Sequence, residues 1–198
     1  MDVVAATQNK HKIKEMDAIT GKYGFKLISR SDAGVPDFEI EETGETFEEN
    51  SLIKAMEIYT ACGKITIADD SGLMVDYLNG APGLFSARFA GEEGNDKKNY
   101  EKLLKLLNGL PDEKRTAKFV TVITMVFSED DIIIARGECK GHILNEPRGE
   151  KGFGYDPVFA PEGYKQSFGE LGPEVKNRIS HRANALKALA EQLEKLNK

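Results

Sequence analysis

Asp69 and Asp70 stand side by side after a short apolar run, Lys64-Ile65-Thr66-Ile67-Ala68, and are followed by Ser71 and Gly72. Paired carboxylates can bind a hard cation, orient a water or take its proton. Ile65 and Ile67 suit a buried strand, and Gly72 permits a sharp exit from it. The acids are therefore expected at the strand's C-terminal end, where open α/β sheets bind ligands. Neighbouring strand residues point to opposite faces, so the two acids are expected to do different jobs. Taken alone, the segment reads more readily as a capped turn.

Three other regions change that balance. Thr7, Asn9 and Lys12 fall in a turn between an apolar strand (3–6) and a helix containing Ile13, Met16 and Ile19. A helix N-terminus offers unpaired N–H groups, and Lys adds a full charge, which suits a phosphate. The glycines of a P-loop are missing, and a capped helix with an exposed Lys fits as well. Gly152-Phe153-Gly154-Tyr155-Asp156-Pro157 combines close backbone approach with planar faces that can stack on a base and a carboxylate that can accept ring N–H groups. Ser180-His181-Arg182, with Lys176 upstream, sits at the start of the last helix, with Ser180 as its N-cap. Cationic groups there oppose the helix dipole unless an anion or an electron-rich ligand is present. Glu41 and Glu42 read as a solvated loop face in isolation and as metal ligands if the fold brings them near Asp69 and Asp70. No His or Cys pair has zinc spacing, and His11 and His142 read as surface or loop positions.

The elements that must position these residues can be read from periodicity. A second strand is expected over 25–29, then an acidic irregular stretch over 31–46. Thr46-Phe47-Glu48-Glu49 fits a capping box, opening a helix to about Cys62 whose apolar stripe is Phe47, Ala55, Ile58, Tyr59 and Cys62. Asn79 to Gly83 is a turn. A helix over 96–107 buries Tyr100, Leu103, Leu104 and Leu107. Two β-rich runs, 117–127 and 132–139, flank a hairpin loop at 128–131. Residues 146–169 read as one long loop, the length at which loops are often functional. Ile179, Ala183, Leu186, Ala190, Leu193 and Leu196 mark a C-terminal amphipathic helix. Helices alternating with strands early and a hairpin late predict a mixed α/β sheet with flanking helices, in one domain or two lobes sharing a core.

The net charge of -6 argues against broad contact with nucleic-acid phosphates, while a few local cations could still hold a small anion. No apolar run reaches membrane-spanning length, and the N-terminal segment is too short and wrongly flanked for a signal peptide. Cys62 and Cys139, far apart and outside any CxxC, fit reduced thiols in a cytoplasmic protein.

Thr7-x-Asn9-x-x-Lys12, Glu42-Thr43-Gly44, Asn50-x-x-x-Lys54-Ala55, Ala68-Asp69-Asp70-Ser71-Gly72, Gly80-Ala81-Pro82-Gly83-x-x-Ser86-Ala87-Arg88, Gly152 to Pro157 and Ser180-His181-Arg182 form an ordered set covering nearly the whole chain. That set resembles the Ham1/ITPase family of noncanonical purine nucleoside triphosphate pyrophosphatases. The resemblance implies an elongated mixed α/β fold of two lobes around a central cleft, a homodimer, and Mg²⁺-dependent hydrolysis of ITP, dITP and XTP to monophosphate and pyrophosphate. It implies that Thr7, Asn9, Lys12 and Lys54 hold the triphosphate. Glu42 and Asp70 would bind Mg²⁺, Asp70 would accept the proton, Asp69 would support the acidic cluster and Ser71 would contact substrate. Phe153, Gly154, Tyr155, Asp156, Lys176, His181 and Arg182 would form the base end. Two other readings stay open: a non-catalytic nucleotide sensor, and a sibling pyrophosphatase for other modified nucleotides.

Overall fold

The computed structural model describes residues 1–91 and 94–196, apart from the side chains of His11, Ala18, Ile19, Tyr23 and Leu196. The expectations for Ile19, Leu196 and His11 therefore lie outside the described residues. Six strands, β1 (Asp2–Ala5), β2 (Lys26–Ile28), β3 (Thr66–Val75), β4 (Thr116–Ser128), β5 (Asp131–Ile143) and β6 (Phe159–Pro161), form one sheet in the order β2-β1-β3-β4-β5-β6. β1 pairs in parallel with β2 and β3, and β5 pairs antiparallel with β6. β4 and β5 are sheet neighbours joined through Glu129 and Asp130, a connection so short that the strands must be antiparallel. The sheet is mixed, as the alternation of helical and strand patterns predicts. Around it come α1 (Lys10–Thr20), α2 (Phe47–Cys62), α3 (Asp96–Leu106), α4 (Phe168–Leu171), α5 (Pro173–Ile179) and α6 (His181–Leu196).

The chain divides into two compact units. The first comprises Met1–Asp70, Thr121–Gly137 and Arg182–Lys198, the second Ser71–Val120 and Glu138–His181. In the first unit, strand alternation sorts side chains between two apolar layers. Val3 and Ile67 pack with Met16 of α1 and with Ala183, Leu186 and Leu189 of α6. Val4 and Ala68, one residue on in each strand, pack instead with Ala55 and Ile58 of α2. Both strands are covered on both faces, so their cores read as continuous apolar runs. The second unit has its own core, in which Leu73, Val75, Leu103, Phe119, Phe159 and Phe168 meet. The Phe119 and Phe159 rings approach edge-on at 4.6 Å.

Local chemistry explains the helix starts. Thr46 accepts the Glu49 N–H at 3.1 Å, as a cap should, but the Glu49 carboxylate reaches the Glu45 N–H at 2.6 Å. The capping box is thus only half made in its usual form.

Three expectations need correction. β3 does not stop at Asp69-Asp70 but continues to Val75, so the acids lie in mid-strand. Gly72 serves close approach rather than a turn: a Cβ there would strike the Gly83 carbonyl and come within 2.8 Å of Ser86 Oγ. The Ser86 hydroxyl accepts the Leu73 N–H at 2.9 Å and donates to the Gly83 carbonyl at 2.6 Å, holding the strand extended where the Asp-Asp-Ser-Gly composition favours a bend. Residues 146–169 are not one loop, because β6 pairs with β5 inside them and Ser167 caps α4 through a full capping box. Ser180 ends α5 by donating its N–H to the Lys176 carbonyl at 2.9 Å and also directly precedes α6, the place expected of that helix's N-cap.

Candidate active site

In the first unit, Asp69 and Asp70 continue the alternation of Ile67 and Ala68. Asp69 faces the α1 and α6 layer, where its Oδ2 lies 3.3 Å from Lys12 Nζ and 3.0 Å from Arg182 Nη2. Asp70 faces α2, where its Oδ1 lies 3.0 Å from Lys54 Nζ. Lys54 is also 2.9 Å from Glu42 Oε1. The two acids therefore have different partners, as the pleat requires.

Asn9 caps α1, its Oδ1 accepting the Lys12 N–H at 3.3 Å, while Thr7 Oγ1 accepts the Asn9 N–H at 3.1 Å. The turn is thus a capped helix start, but its Lys is not an idle surface charge. The Lys12 side chain is 18% exposed and turns inward to Asp69. Arg182, fully buried at the start of α6, is held by Asp69 and by Glu15 of α1. These two carboxylates are the anions that a cationic helix start calls for, and both come from the protein. Glu15 was not singled out in the sequence. Its position one turn after Lys12 on α1 is the signal that could have found it.

The charges settle unequally. Burial would raise the Asp69 pKa, but Lys12, Arg182 and Lys54 outweigh it and hold the carboxyl far below the usual range. Burial raises Asp70, Glu42 adds to the rise, and Lys54 opposes it. Burial would lower Lys54, but Asp70, Asp69 and Glu42 push it upward on balance. Lys12 is lowered by burial, against the pull of Asp69. The result is an ammonium at Lys54 with a secure charge beside a carboxylate at Asp70 that is more basic than usual. Asp69 Oδ1 is buried and has no hydrogen-bond partner among the described residues.

Among the described residues, no three His, Cys, Asp or Glu side chains gather as a metal cage. Glu42 and Asp70 do converge on one cation, the Lys54 ammonium. Two carboxylate oxygens are the protein share that a hard divalent ion takes when phosphate and water complete its shell. The donor set fits such an ion.

The second unit contains the remaining expected residues. Lys176 and Asp156 form a buried ion pair at 2.7 Å, with side chains 5% and 2% exposed. Asp156 Oδ2 also accepts the Phe153 N–H at 2.9 Å, and the Lys176 ammonium lies 4.4 Å from the Phe153 ring centroid. Gly152 is required here, since its φ is +84° and a Cβ would collide with the Asp156 carboxylate. Tyr155 is buried and donates its hydroxyl to the Ser86 carbonyl at 2.8 Å. Burial and the charge of Asp96 both push the Tyr155 pKa up. His181 is buried and stacks on Phe119, with centroids 4.6 Å apart. Ser71 is half-buried on β3. A cavity of about 800 Å³ in this unit is lined by Asp76, Thr116, Lys118, Lys140, His142 and Tyr164 among others, and by none of the expected site residues.

Comparisons with known proteins bear on the chain as a whole. The Ham1 family model matches residues 3–192. A dITP/XTP pyrophosphatase of Thermoanaerobacter pseudethanolicus is 49% identical over 189 residues, covering 96% of this chain and 94% of that protein. One from Bacillus licheniformis is 48% identical over 193 residues, covering 98% of each. The structure of the Staphylococcus aureus Ham1 protein superposes with a TM-score of 0.87 at 41% identity, covering 98% of this chain and 99% of that one. On sequence and fold together, the chain belongs to the Ham1 family.

Proposed function

We propose that this protein hydrolyses ITP, dITP and XTP to the nucleoside monophosphate and pyrophosphate. The observation that carries the reading is the Lys54 ammonium held between Glu42 and Asp70, at 2.9 and 3.0 Å. A triphosphate and its counter-ion call for this mixture of cation and oxygen ligands. The names of the relatives, dITP/XTP pyrophosphatase, support the same substrate class. In this reading Glu42 and Asp70 would hold Mg²⁺, which when bound neutralises phosphate oxygens and makes a water more acidic.

The protein's own residues then have definable tasks. Thr7, Asn9, Lys12 and Lys54 grip the triphosphate, with Ser71 as a further contact. Asp70 orients a water for attack on the α-phosphorus and takes its proton, a task that its raised pKa favours. The new bond joins the water oxygen to the α-phosphorus, and the bond from that phosphorus to the oxygen bridging the α and β positions breaks. Lys12 and Lys54 balance the charge on the departing pyrophosphate. Asp69 holds Lys12 and Arg182 in place.

Base selection follows from hydrogen-bond polarity. Phe153 supplies a stacking face, and Gly154, Tyr155, Asp156 and Lys176 complete the base end. Arg182 can donate but not accept, and His181 can donate through a ring N–H. They satisfy the 6-oxo group of hypoxanthine or xanthine and leave the amino group of adenine facing donors. Each unpaired buried polar group costs about 1–3 kcal/mol, so two mismatches give discrimination on the order of a hundredfold. Guanine shares the 6-oxo group, so its rejection has to arise at the 2-position.

A single domain of two lobes, carried by the family resemblance, is part of the proposal. So is a homodimer, carried by the family resemblance. A cytoplasmic location suits the free Cys62 and Cys139. No helix among the described residues is long and apolar enough to cross a membrane. The test is a panel of ITP, dITP, XTP, ATP and GTP read by pyrophosphate release with and without Mg²⁺. Release from the first three only when Mg²⁺ is present is expected. Tight nucleotide binding without pyrophosphate release would make the protein a sensor instead.

A further inference from the structure

The first turn of α3 carries two polar side chains that its own capping does not need. Asn95 closes the helix start by accepting the Lys98 N–H at 3.1 Å. Asp96 is thereby released for another contact, and its Oδ2 accepts the Gly154 N–H at 2.6 Å. Asn99, one turn later and 1% exposed, accepts the Ala90 N–H at 2.7 Å and donates to the Ala87 carbonyl at 3.0 Å. Residues three apart share a helix face, so one helix end grips two irregular segments.

The segment gripped by Asp96 is the one expected to meet the base. Its consecutive donors, Phe153 N–H and Gly154 N–H, both end on carboxylates, those of Asp156 and Asp96. What it then offers a planar ligand is the Phe153 ring with the Lys176 ammonium 4.4 Å from its centroid. Asp156 fixes this arrangement from within the loop and Asp96 fixes it from a distant helix. A charge-assisted bond to a backbone amide is among the stronger ways to immobilise a turn.

We infer that Asp96 is a positioning residue for nucleobase selection: it pins Gly154 and through it the Phe153 ring and the Lys176 ammonium. The inference rests on the reading above that Phe153 to Asp156 and Lys176 face the base. Asp96 itself touches no reacting atom. Its loss acts through the loop, on affinity and preference rather than on the chemical step.

The test compares Asp96→Ala, Asp96→Asn and Phe153→Ala with the wild type, by pyrophosphate release from ITP and ATP and by thermal melting. Asp96→Ala is expected to raise KM for ITP about tenfold and to narrow the ITP over ATP preference by a similar factor. Its kcat for ITP should stay within about a factor of two. Asp96→Asn keeps an acceptor oxygen in place and should recover most of the KM. A merely structural role would lower the melting temperature of Asp96→Ala and leave the preference where it was, which overturns the inference. Unchanged KM and preference in Phe153→Ala would overturn the underlying reading and the inference with it. A changed Phe153→Ala beside an unchanged Asp96→Ala would overturn the role of Asp96 alone. If Asp96→Ala fails to fold, Asp96→Glu, which keeps the charge but displaces the oxygen by one methylene, is held to the same outcomes.

Discussion

Two buried carboxylates, Asp69 in the first unit and Asp156 in the second, solve the same problem in opposite ways. Each is almost wholly removed from solvent, and each carries a cation. Asp156 is matched within its own unit: an amide from Phe153, three residues before it, and an ammonium from Lys176, 20 residues on in α5. Asp69 is matched by distant elements, Lys12 on α1 and Arg182 on α6, which share its Oδ2 while Oδ1 has no partner among the described residues. A lone buried acceptor is costly unless something else requires it. The contrast separates a closed pair, one carboxylate against one ammonium, from an open cluster, one carboxylate oxygen shared by two cations with the other oxygen left over.

The largest effect expected is on Asp70, the strand neighbour of Asp69. Asp70→Asn should lower kcat for ITP by about a thousandfold, the scale of a lost general base, while nucleotide binding remains measurable. Turnover close to wild type would remove Asp70 from the chemistry and dissolve the distinction between the two regions. Next comes the closed pair. Asp156→Ala leaves the Lys176 ammonium buried without its partner carboxylate and should cost about 3–5 kcal/mol in denaturant unfolding. A loss below about 1 kcal/mol would mean that the pair is not the closed structure its geometry implies.

The sequence revealed the two regions unequally for a physical reason. Phe153 to Pro157 are contiguous, so they could be read as one chemical group before any fold was known, whereas Lys176, 20 residues from Asp156, reads with Ser180 to Arg182 and joins the base end only through the family resemblance. The alternation of Ile67, Ala68, Asp69 and Asp70 also gave the two acids separate faces. The strand's continuation to Val75 was not legible, because the Ser86 hydroxyl that holds Leu73 comes from a segment whose composition signals only a turn. Glu15 and Asp96 escaped notice for the same reason: on α1 and α3 they look like ordinary surface acids, and their partners Arg182 and Gly154 are far along the chain. β6 is three residues long and exists through its pairing with β5, which no local pattern encodes.

The open cluster should be less sensitive to loss of its central charge than the closed pair. In Asp69→Asn, Arg182 retains Glu15 and Lys12 retains some access to water, so about 1–3 kcal/mol is expected. Because the Asp69 pKa is depressed in the folded state, its contribution is complete above the unfolded value, near pH 4, and fades only as the pH falls through the folded value. The stability difference between wild type and Asp69→Asn should therefore be flat from about pH 5 to about pH 8. A loss equal to that of Asp156→Ala would erase the contrast.

The smallest effect concerns whether the second unit is closed as a body. Cys139, on β5, is 7% exposed and packed in the same core as Tyr155 and Phe168. Burial, helped by Glu162, pushes its thiol to about 11. At pH 8 the reactive thiolate is then on the order of one part in a thousand. Cys62, the last residue of α2 in the first unit, is more accessible. Iodoacetamide at pH 8 should modify Cys62 in the native protein and reach Cys139 only when denaturant is added, with mass spectrometry locating the adduct. Comparable rates at the two thiols would show that the second unit opens readily, and the Asp156–Lys176 pair would then be no better shielded than the cluster around Asp69.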